Sequence, residues 1–60
     1  MRVHVPERAE IVSRLRACAA DLQRAKRVGD VRDSLCYRLC QLTTDVHNAA
    51  VVEREKEAAT

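Results

Sequence analysis

Apolar side chains recur in two segments of the chain with alternating steps of four and three: Ile11, Leu15, Cys18, Leu22 and Ala25, then Leu35, Leu39, Leu42, Val46 and Ala49. This is the period of a helix with one apolar stripe, met twice. Val5-Pro6-Glu7 predicts a start, with Pro6 at the first helical position and Glu7 and Glu10 near the positive end of the helix dipole. Lys26 and Arg27 suit a last turn, Gly29 a stop, and Asp30, with Asp33 three residues on, the cap of a second helix. The pattern predicts an all-α, antiparallel two-helix hairpin. Its parts are a flexible N-terminal arm over residues 1–5, one hairpin domain over 6–57 (helix 6–28, turn 29–30, helix 31–55) and a frayed C-terminus over 58–60.

Folding back at Gly29 pairs residues whose numbers sum to 60 or 61: Ile11 with Ala49, Leu15 with Val46, Cys18 with Leu42, Leu22 with Leu39, Ala25 with Leu35. Every layer is then apolar, and the turn agrees with both stripes. One residue after each seam position of helix two runs a second stripe, Cys36, Cys40, Thr43, His47 and Ala50, with a shorter counterpart in Val12 and Ala19. An isolated hairpin has no use for it. Sixty residues bury too little surface to be comfortable alone. The expected remedy is a homodimer closing into a four-helix bundle, with the second stripe as partner or dimer interface.

Composition changes this picture little. A third of the residues are charged, with one Gly, one Pro, one Tyr and no Phe or Trp, which suits long surface helices without an aromatic core. No apolar run reaches membrane-spanning length and no signal segment opens the chain, so the expected compartment is the cytoplasm, with reduced thiols and no membrane partner.

Charge is uneven. Residues 1–29 carry seven basic and three acidic side chains, and residues 30–60 carry four and six. Arg8, Arg16, Arg24, Lys26 and Arg27 spread over a broad side of helix one, a possible path for a nucleic-acid backbone, with Tyr37 the only ring available for stacking. The chain is similar in size and layout to small helical-hairpin RNA binders. The opening Arg2-Val3-His4-Val5-Pro6 also resembles the strand of ribbon-helix-helix repressors, which would make Arg2 and His4 base readers. It departs from that family in the 22 residues between Pro6 and Gly29, too long for the family's first helix, and a loose arm is the simpler reading.

Cys36 and Cys40 lie one turn apart, with His47 two turns further, so a two-fold dimer would be able to bring two thiol pairs together around zinc. Buried packing is the commoner use of such cysteines, and no cofactor or metal is expected. Catalysis has no phosphate loop and no Ser-His-acid set to stand on, and Glu7 and Glu10 are explained by the dipole. The reading is a non-catalytic helical interaction module or adaptor that self-associates and binds a protein partner through its helix faces. The alternatives are a small nucleic-acid-binding regulator and, further off, a zinc-stabilised or redox-sensing protein using Cys36 and Cys40. Protein purified without chelator should carry no zinc and three reduced thiols. Elemental analysis finding about half a zinc per chain, lost together with helicity on chelation, would favour the shared four-thiolate site instead.

Overall fold

The computed structural model describes residues 5–59. Two helices account for nearly all of them: α1 spans Arg8–Arg24 and α2 spans Val28–Ala59, packed side by side as an antiparallel hairpin. At about 1.5 Å per residue, the 32 residues of α2 are nearly twice as long as the 17 of α1. The longest dimension is 49 Å. Arg2 and His4, with the rest of residues 1–4, and Thr60 lie outside the described residues.

Helix α1 begins two residues later than the Pro6 start predicts. Glu7 is the extended N-cap, and its carbonyl accepts the Ile11 N–H at 3.1 Å without a side-chain cap. Pro6 is buried, and it shares a groove with Ile11 at the open end of the hairpin. Their spacing is that of a hydrophobic staple, an apolar residue before the cap packed against one in the first turn. Pro6 therefore fixes where the chain enters the helix rather than opening it.

The turn also shifts, from 29–30 to Ala25, Lys26 and Arg27. Ala25 ends α1 in extended conformation, φ −70° and ψ 137°, while its N–H still bonds to the Asp21 carbonyl at 3.1 Å. The reversal needs no left-handed residue, and no described glycine has positive φ. Gly29 is thus not a stop but part of the first turn of α2, where Asp30 suits the positive helix end. At the other end α2 continues to Ala59 rather than residue 55, since alanine favours helix and Lys56 complements the negative terminus.

Among the described residues, the only helical side chains that are closely covered are Cys18 and Leu42, at 5% and 3% exposure. They are the middle layer of the predicted register. The end layers, Ile11 with Ala49 and Ala25 with Leu35, are half-buried, but the two layers beside the centre differ from expectation: Leu15, Leu22, Leu39 and Val46, predicted inside the seam, are 46%, 41%, 42% and 46% exposed. Their seam places are taken by Arg14, Asp21, Arg38 and Asp45, all half-buried, for a reason that belongs to the site described below.

Because an added Cβ at Gly29 meets nothing within 4 Å and φ is not positive, Gly29→Ala should stabilise the helix by about 0.4–1 kcal/mol through the unfolded chain. A thermal midpoint raised by several degrees is the expected result. A fall of similar size would restore Gly29 to the helix stop.

Candidate functional site

Each residue advances a helix by about 100°, so positions can be followed outward from the Cys18 and Leu42 contact line. On α1, Arg14 and Asp21 turn to one side of that line; on α2, Arg38 and Asp45 turn the same way. In an antiparallel pair these fall on the same face of the hairpin, and the ion pairs bear this out. Arg14 Nη1 donates to Asp45 Oδ2 at 2.6 Å, and Arg38 Nη1 donates to Asp21 Oδ2 at 2.5 Å. Two links, above and below the central layer, cross from helix to helix. Between them a small hollow of about 130 Å³ is lined by Arg14, Ala17, Cys18, Arg38, Gln41 and Leu42.

This explains the altered layers. Long arginine side chains reach across one edge of the seam to carboxylates on the opposite helix, so both partners sit half-buried with their charges paired. The helices are rotated toward the ionic edge. Leu15, Leu22, Leu39 and Val46, one position further round, are carried to the opposite face. There they form an apolar patch of four side chains with Val12 beside them, itself 38% exposed. At the open end the patch runs into a groove of about 620 Å³ whose lining includes Ile11, Val12, Val46, Ala49 and Ala50.

The expected interface stripe splits. Thr43 and Ala50 border the apolar face, and Ala50 is half-buried; Cys36, Cys40 and His47 are exposed and turn to the outer side of α2. The Thr43 hydroxyl is already used, donating to the Leu39 carbonyl at 2.9 Å. On α1, Ala19 and Val12 are exposed beside the same face. Among the described residues no three of His, Cys, Asp or Glu gather as a metal site.

The basic residues do not converge either. Arg8 and Lys26 flank the apolar face, Arg16 and Arg27 turn outward, and Arg24 hydrogen-bonds Asp21. Tyr37, 67% exposed, accepts a hydrogen bond from Gln41 Nε2 at 3.0 Å on a different side of the hairpin. Sequence reasoning passed over Arg14, Asp21, Arg38 and Asp45 as site residues. The signal was present, for 14 and 21, and 38 and 45, are seven-residue steps lying within the register of the apolar stripes.

Among the described residues no helix is long and apolar enough to cross a membrane. Comparison with known proteins found no match, whether to a family model, a curated protein or a solved structure.

The hydrogen bond from Arg38, aided by the Arg24 charge, holds the Asp21 carboxyl below its usual range, and the carboxylate in turn raises the Arg38 guanidinium. A lowered native pKa contributes stability above the unfolded value and loses it as pH falls through the native one. Thermal midpoints should therefore drop more steeply below about pH 4 in the natural chain than in Asp21→Asn, with the two curves converging in acid. Parallel curves would mean that the ion pair contributes nothing.

Proposed function

We propose that this chain is a non-catalytic helical interaction module that self-associates into a four-helix bundle and offers its remaining helix faces to a protein partner. The observation that carries this reading is surface left uncovered. A compact monomer of 6.8 kDa exposes about 3,950 Å² by the usual scaling with mass, whereas this chain exposes 5333 Å². Four large aliphatic side chains on one face are among what is left open.

A bundle also supplies what the hairpin lacks. Two helices cover only Cys18 and Leu42 closely, and burial of apolar area is the main term set against the entropy of ordering the chain. The grooves that exist are shallow and largely apolar, and a protein helix fits them better than a small polar substrate does. The nucleic-acid reading draws less support. It needs a continuous cationic path, and the arginines of α1 are scattered, with Arg14 and Arg24 engaged by carboxylates.

Self-association makes stability depend on concentration. The thermal midpoint should rise with protein concentration, and light scattering at micromolar levels should report twice the 6.8 kDa chain mass, with little response to salt because the contact is apolar. A monomer whose midpoint is unchanged over a hundredfold dilution would falsify the proposal.

A further inference from the structure

Resting on the self-association proposed above, we infer that a second copy of this chain docks on the face formed by Leu15, Leu22, Leu39 and Val46, and not on the outer Cys36, Cys40 and His47 side of α2. The two sides differ in substance. The first presents four large aliphatic residues, each more than two-fifths exposed, with no charged side chain among them. The second presents two thiols and an imidazole, with Arg54 on the same side of the helix, whereas Arg8, Lys26 and Arg32 only border the first.

Area argues for an occupant of this size. The excess over a compact monomer is about 1,400 Å². Part of it belongs to the end of α2 that projects past α1, and a standard interface needs only about 800 Å² from each partner. The face is also continuous with the contact already made inside the hairpin, through the groove where Val12, Val46 and Ala50 meet Ile11 and Ala49.

Its symmetry argues for a copy of itself. Leu15 and Val46 lie about 4.5 and 6 Å to one side of the Cys18 and Leu42 layer, and Leu22 and Leu39 about 6 and 4.5 Å to the other. The patch is therefore nearly symmetric about its own centre. Laid face to face about a two-fold axis, with the hairpins pointing the same way or opposite ways, it sets large aliphatic side chains against large aliphatic side chains. The smaller Ala19 and Thr43, near the level of the centre, leave room for close approach. The opposite face does not offer this, because its centre is occupied by the two ion pairs.

The chain has no tryptophan, which makes a direct test possible. Leu15→Trp places an indole on the proposed interface, and Cys40→Trp places one on the outer side. With mass followed by sedimentation, the Leu15→Trp emission should be blue-shifted and protected from acrylamide in the dimer, then shift to the red on dilution. Cys40→Trp should stay red and quenchable throughout. Leu39→Glu, made twice in the dimer, should raise the dissociation constant by about tenfold or more. Since that variant is expected to lose helix as it dissociates, the tryptophan pair carries the decision. A dimer in which Cys40→Trp is the protected one, or in which Leu15→Trp stays solvent-exposed, overturns the assignment of the face while leaving self-association standing. A natural chain that stays monomeric overturns both.

Discussion

Two helices laid side by side touch along one line, and everything else about this hairpin follows from how little that line covers. Each helix turns only a narrow strip of its circumference to its neighbour, so the layers available to a core are few. Here, among the described residues, the middle layer, Cys18 against Leu42, is the only one closed on both sides. On either flank of it the next residue round the helix must be something that tolerates a wet edge. One flank resolves this with long side chains whose charges reach across and pair; the other leaves aliphatic side chains half in water.

The ionic edge and the aliphatic edge do different things. Half-exposed ion pairs contribute little net stability, because the charges gain in each other roughly what they lose in solvation. They discriminate well, however. Each helix carries an arginine followed seven residues later by an aspartate, Arg14 and Asp21 on α1 and Arg38 and Asp45 on α2. Running antiparallel, arginine meets aspartate at both levels; running parallel in the same register, arginine would meet arginine and aspartate would meet aspartate. The hairpin direction is written in charge as well as in the turn.

The helical class, the antiparallel pairing and the central layer were legible in the sequence, because the four-three alternation and the numerical register both converge on Cys18 and Leu42. What was not legible was rotation. An apolar pattern read alone assigns every leucine to the seam, and shifting each helix by a fraction of a turn keeps the same period while moving Leu15, Leu22, Leu39 and Val46 outward. Rotation is decided by which neighbouring side chains find partners, and that information sat in Arg14, Asp21, Arg38 and Asp45, which a reading of apolar positions leaves out. Gly29 misled for a related reason. Glycine commonly marks a helix end, but a reversal with Ala25 in extended conformation needs no left-handed residue, so the chain turned four residues earlier. Cys36 and Cys40, expected to pack, are exposed in the hairpin, and their stripe is not its richest apolar surface.

The rotation also connects fold to association. Had the leucines filled the seam as the pattern alone implies, the hairpin would have had a fuller core and a polar exterior, and little reason to recruit a partner. Turning the helices toward the ion pairs takes apolar area out of the monomer and displays it on one face. Charge on the opposite face then works in the same direction, since a second copy placed there would have to desolvate four paired groups for no new partner, which costs more than leaving them at the wet edge. The ionic face thus repels stacking while the aliphatic face attracts it. In the proposed dimer this difference between the faces would direct association to a single surface and close it after two copies, instead of leaving every exposed leucine open to aggregation.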